Sequence, residues 1–190
     1  MRSKVSWMLI AASLAVVAAC SQKKEEPTAA PLTLHEVMKD KVDANADAMW
    51  DVSNAAIGET AGLDASKMTD ATWAQIEQRA TAVQQAALEI ARMDPIIVAK
   101  PGVKIADEGV EGGDTAAGVQ EGIDKDPQKL RDFANALAVH MGDLSAAART
   151  HDLAKAGPLI DQLDGVCEDC HLEFWYPGQK ALLEKYGISR

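Results

Sequence analysis

The sequence predicts an all-α protein, an up-down-up-down four-helix bundle, and three observations carry that expectation. Beyond residue 31 the chain is alanine-rich with few β-branched or aromatic residues, a composition that favours helix over sheet. Four stretches place apolar residues at steps of three and four, the spacing of an amphipathic helix. Each is polar along its opposite side, so none suits burial all round, and four such helices of similar length cover one another as a bundle. Residues 32–190 suit a single domain.

The first helix is expected from about Leu34 to Ile57. Leu34, Met38, Val42, Ala46, Met49, Val52 and Ala56 make its apolar stripe, with Lys39, Asp40, Asp43, Asp47 and Asp51 on the other face. The row of Asp40, Asp43, Asp47 and Asp51 reads as a solvated face, because carboxylates at helical steps need only water. Asn45 falls inside the stripe, and a buried amide needs a hydrogen-bond partner; a bond to a neighbouring helix is expected. The second helix opens at Thr69-Asp70, a suitable cap, and carries Trp73, Ile76, Ala80, Val83, Ala87 and Ile90.

The third opens at Asp126-Pro127, a cap followed by proline in the first turn, with Leu130, Phe133, Leu137, Met141, Leu144 and Ala148 inward. The fourth starts between Asp152 and Pro158 and carries Leu159, Leu163, Val166, Cys170 and Phe174, with Pro177-Gly178 as its terminator. Met93 to Lys125 is glycine-rich, holds Pro95 and Pro101, and reads as one long loop of functional or poorly ordered character. The tail after Gly178 has room for a further helical turn or two.

The N-terminus indicates where the chain resides. Met1-Arg2-Ser3-Lys4 is basic, Val5 to Val17 is nearly all apolar, and Val17-Ala18-Ala19-Cys20 puts small residues before a cysteine. Residues 1–19 therefore read as a signal peptide, too short for a comfortable membrane span. Cys20 in that setting resembles the lipobox of bacterial lipoproteins. The resemblance implies a lipidated Cys20 at the mature N-terminus, a linker over residues 20–31, and anchorage on the periplasmic side of a bacterial membrane.

Removing residues 1–19 takes Arg2 and Lys4 and no acids, so the formal charge falls from −10 to −12. Such a chain is no nucleic-acid binder. It gains nothing electrostatically from an anionic bilayer, which leaves the lipid on Cys20 to hold it there. A docking partner is expected to present a basic face.

Chemistry concentrates in Cys167-Glu168-Asp169-Cys170-His171. Thiols three residues apart with an imidazole one residue later share a single helical turn. This is the spacing of covalent haem c attachment, in which both thiols join the porphyrin and the imidazole ligates the iron. A zinc site would need two further ligands, and the other cysteine is Cys20. A thioredoxin-like pair would need a βαβ setting, and a disulfide between Cys167 and Cys170 would not require His171. With an export signal present, one covalent haem is the expectation. No Ser-His-Asp set, phosphate loop or paired catalytic acid emerges, so no enzyme is expected. A haem peroxidase would need a distal acid–base pair, toward which His35 alone hints.

A four-helix bundle with Cys-x-x-Cys-His near the end of its last helix resembles the cytochrome c′ family, including low-spin relatives of the cytochrome c556 type. The resemblance covers roughly residues 32–178 and rests on Cys167, Cys170, His171, Phe174 and Met38. The chain departs from the family at Leu34, where an arginine is often found, in the long loop, and in Trp175-Tyr176-Pro177. In low-spin relatives a first-helix methionine ligates the iron; in high-spin ones an apolar residue blocks that side.

Met38 and Met49 share a stripe, since eleven residues make almost three α-turns. First and last helices of such a bundle are antiparallel neighbours, so a residue opposite His171 lies early in the first helix. That selects Met38, leaving Met49 as core filler. His35 is the alternative ligand. His140 reads as a groove residue and His151 as a solvent-facing helix end; Trp50, Trp73 and Trp175 pack the bundle or the haem rim. The resemblance implies electron transfer through a His/Met-ligated haem to a redox partner, with a high-spin binder of nitric oxide or another small gas as the alternative. A homodimer is left open.

Overall fold

The computed structural model describes residues 30–59 and 62–187. The chain divides into two units, Met1–Pro31 and Leu32–Arg190. The signal segment, Cys20 and nearly all of the linker lie outside the described residues.

Leu32–Arg190 is all-α, with no strand among the described residues. Helix α1 runs through three consecutive stretches: α-helical Leu34–Val37, a π-helical segment Met38–Asp43, and α-helical Ala44–Ala55. Then follow α2 (Asp70–Ala91), α3 (Ala116–Lys125), α4 (Pro127–Arg149), α5 (Leu153–Phe174) and α6 (Pro177–Lys185).

The start of α1 is heavily determined. Thr33 and Glu36 form a reciprocal capping box, which satisfies two N–H groups that a helix end leaves open. The next two go to the loop after α2: Leu34 N–H donates to the Ile97 carbonyl and His35 N–H to that of Val98, both at 2.8 Å. Lys100 of the same loop pairs with Glu36. Lys100 and the Thr33 N–H and hydroxyl hold the Glu36 carboxyl down at about 2. A carboxylate depressed this way stabilises the fold above its unfolded pKa, and that contribution disappears as pH falls through about 2. Glu36→Gln should therefore lower the melting temperature at pH 7 by a few degrees. The difference from wild type should vanish in melts run toward pH 2.

Side-chain pairs fix how the long helices run. Between α2 and α4 the pairs are Glu77 with Arg149 (2.7 Å), Thr81 with Ser145 (2.9 Å), and the Met93 carbonyl with Arg131 (2.9 Å). Numbers rise along one helix as they fall along the other, so the two are antiparallel. Ala80 and Ala87 of α2 and Ala138 and Ala148 of α4 are all buried. Small residues let the backbones approach, and this is the most extensive helix pair. Lys41 with Glu89 (2.6 Å) and Asn45 with Arg79 (3.1 Å) set α1 antiparallel to α2. His140 against the Leu159 carbonyl (2.7 Å) and Lys129 with Glu173 (2.6 Å) do the same for α4 and α5.

Several expectations meet their residues here. Asn45 donates to the Lys41 carbonyl at 2.7 Å and accepts from Arg79 of α2, which answers the polar break in the stripe. His140 occupies the α4–α5 groove, and exposed His151 ends a helix while stacking on Trp73 at 5.3 Å. Asp152 caps α5 through the Lys155 N–H, so Pro158 lies inside that helix, on its exposed side.

Two expectations are corrected. The long loop over residues 93–125 contains helix α3, capped by Thr115. Only Val119 and Ile123 are buried on it, and Gly118 and Gly122 weaken its propensity, so its periodicity was too brief to register. Pro177 also opens a new helix rather than simply closing α5, as proline at the first helical position does. No helix among the described residues is long and apolar enough to cross a membrane.

Candidate functional site

Helix α5 carries an inner stripe that is not closed. Leu163 and Phe174 are buried, yet Val166, Cys167, Cys170 and His171 between them are only partly so. They front a cavity of about 520 Å³. Leu34, Met38, Val42 and Ala46 line it from α1, and Leu130, Phe133, Ala134 and Leu137 from α4. First and last long helices thus face each other across this space.

Both cysteines, His171 and Met38 line this one cavity. The two thiols are free. Burial pushes Cys167 up to about 11, with the Asp164 and Asp43 carboxylates adding to it. Burial first, then Cys167 and Glu173, push Cys170 up to about 12. For His171 burial lowers the pKa, against Asp43, Glu168, Asp107 and Asp164, which pull it upward. At neutral pH the site therefore offers two protonated thiols and a neutral imidazole, whose lone pair suits it to a metal.

The π segment decides what else reaches the cavity. A π turn closes its hydrogen bonds one residue later than an α turn, so the inward face advances by one position along the chain. Met38 is followed on the wall by Val42 and Asp43, Ala46 and Asp47, and then Trp50. Met49, which shares a face with Met38 in an unbroken α-helix, is fully buried in the core and absent from the wall. The common stripe of the two methionines is thereby corrected, while Met49 as core filler agrees with the structure.

The aspartate row is corrected in part. Asp43 and Asp47 are exposed, as a solvated face requires, but they border the cavity. Protein crowding raises the Asp43 carboxyl, opposed by nearby His171. Asp164, Glu168 and Gln179 also line the wall and carried no role in the sequence reading, as does Tyr176, which that reading marked only as a departure from the family. The widened turn that brings in Asp43 has no signal in a periodicity count, whereas Asp164 and Glu168 flank the Cys167 position at helical steps and were legible.

The other candidates fall away from the site. His35 is not on the cavity wall. Trp50 and Trp175 are on it, and Trp73 packs in the core. Among the described residues no group of three His, Cys, Asp or Glu could hold a bare metal ion. Beside the Asp43, Asp47, Asp164 and Glu168 carboxylates, the wall holds one imidazole and one thioether, brought by different helices, and two thiols. That set fits an iron whose remaining ligands come from a macrocycle. The volume lies within the ~300–1,000 Å³ usual for cofactor pockets, and the largely apolar lining is equally typical. Cys20 lies outside the described residues. A scan against protein-family models, a search of curated proteins and a search of solved structures each found no match to this chain.

Proposed function

We propose that this chain is a monohaem c-type cytochrome of the cytochrome c′ type. On this reading it is a lipid-tethered, non-enzymatic electron carrier on the periplasmic side of a bacterial membrane. The observation that carries the reading is the meeting of Cys167, Cys170, His171 and Met38 on one largely apolar cavity. The antiparallel order of α1, α2, α4 and α5 supports an up-down-up-down bundle around it. Haem held there would supply a one-electron iron couple, with a methionine opposite histidine raising its potential.

The chain's own residues divide the work. Cys167 and Cys170 would take the covalent attachment, and His171, whose pKa burial lowers, would ligate the iron. Met38 closes the distal side, while Leu130, Phe133 and Leu137 exclude water. Asp43, Asp47, Asp164 and Glu168 border the same cavity, so a redox partner would meet it with basic side chains.

An absorption spectrum of the purified protein in both oxidation states tests the assignment. Low-spin bands with a weak far-red methionine-to-iron transition are expected. A high-spin spectrum that changes with nitric oxide or carbon monoxide would favour gas binding instead. For the anchor, Cys20→Ser should turn a membrane-bound protein into a soluble exported one. Retention of that variant in the membrane fraction after a high-salt wash would refute the tether.

A further inference from the structure

The segment after His171 is gripped from outside the helix. Trp175 and Tyr176 N–H groups both donate to the His171 carbonyl, at 2.8 and 2.7 Å. The Tyr176 ring meets the imidazole edge to face at 5.9 Å and 89°, and the Trp175 ring lies 6.3 Å away. The loop between α2 and α3 then fastens onto these two residues. Tyr176 donates its hydroxyl to Asp107 at 2.6 Å, and Asp114 N–H donates to the Trp175 carbonyl at 2.9 Å.

Gly112, at φ +81°, lies against Gly178 so closely that a Cβ on Gly178 would stand 2.9 Å from its Cα. A contact this tight excludes any larger residue on either side and seats the loop in one position. Asp107 itself holds a left-handed φ of 59°, which a short polar side chain tolerates.

We propose that Asp107 and Tyr176 are positioning residues for the proximal ligand: the loop delivers a fixed negative charge to the His171 side of the cavity, and this charge favours the oxidised iron. The inference rests on the haem reading above. Tyr176 has two tasks, bracing the imidazole with its ring and holding the carboxylate with its hydroxyl. Asp43, Asp164 and Glu168 also act on His171 in the same sense. Asp107 is brought by a separate loop, and the Tyr176 hydroxyl holds its carboxylate in place. Ligand orientation and nearby charge are the usual means by which outer residues tune a metal.

The test is a spectroelectrochemical titration of the haem-loaded protein, with covalent haem quantified in each sample. Asp107→Asn should shift the one-electron equilibrium about threefold toward the reduced form, roughly 28 mV upward at 59 mV per decade. The shift is modest because Asp107 is exposed and screened. Tyr176→Phe keeps the ring and frees the carboxylate, so it should move the potential the same way by less. Asp107→Glu should restore the wild-type value, and Glu111→Gln, an equal change of charge on the same loop, should not move it. A haem-loaded Asp107→Asn or Tyr176→Phe at or below the wild-type potential overturns the proposal, as does a Glu111→Gln shift of equal size. Should Asp107→Asn fail to fold, Tyr176→Phe decides alone. Wild-type protein without covalent haem would instead overturn the reading beneath it.

Discussion

Replacing Cys167 and Cys170 together with serine is expected to abolish covalent haem. Wild-type protein should keep all of its haem through acid-acetone extraction, and the double variant none. The two thiols are half-buried on the cavity wall, and serine keeps their size and the helix while removing the sulfur. The cavity would also lose its principal filling. A void on this scale, left between α1 and α5, removes contacts from Leu130, Phe133 and Leu137 and should lower the melting temperature markedly. Haem that stays with the extracted double variant would exclude Cys167 and Cys170 as attachment points.

Met38→Ala is expected to change the iron's coordination, and with it the chemistry open to the protein. Met38 is only partly buried and faces the cavity, whereas Met49 is fully buried behind it. Wild type should bind carbon monoxide slowly or poorly when reduced, because on the proposed reading the thioether would hold the sixth position. The variant should lose the far-red band, fall in potential and take up carbon monoxide readily. Met49→Ala is the control: it should cost ~2–5 kcal/mol in chemical denaturation, as buried large-to-small changes do, with an unaltered spectrum. A spectral change confined to Met49→Ala would reverse the two assignments. High-spin wild-type protein that responds to neither substitution would transfer the argument to gas binding.

What was readable in the sequence follows from how each signal is built. The long helices announce themselves because their apolar residues recur over five or six turns, and Thr69 and Asp126 mark their starts with capping chemistry. Asn45 could be read as a buried amide in need of a partner, and Arg79 supplies it. Helix α3 escaped because ten residues with two glycines carry only Val119 and Ile123 inward.

The site was half legible. Cys167, Cys170 and His171 are adjacent in sequence, so their chemistry survives any uncertainty about the fold. Met38 required an antiparallel arrangement of first and last helices. Asp43 and Trp50 required knowledge of a widened turn that no residue type signals. Tyr176 and Asp107 lie sixty-nine residues apart, and only the folded loop joins them.

The π segment also sets how the distal wall responds to chain length as well as to residue identity. Met38–Asp43 holds one residue more than the same span needs in α form. Lys39 and Asp40 are exposed, so a deletion at either would cost little packing and would let α1 run with ordinary bonds throughout. The widened turn absorbs its extra residue, so Leu34–Val37 and Ala44–Ala55 would keep their present faces, with Met38, Val42, Asp43, Ala46, Asp47 and Trp50 then at the ordinary helical steps of three and four. Thr33, Leu34 and His35, tied to the loop by their caps and backbone bonds, would hold the N-terminal end where it is. A one-residue deletion is therefore a different kind of change from any substitution: it removes the π turn yet keeps the same residues on the cavity wall.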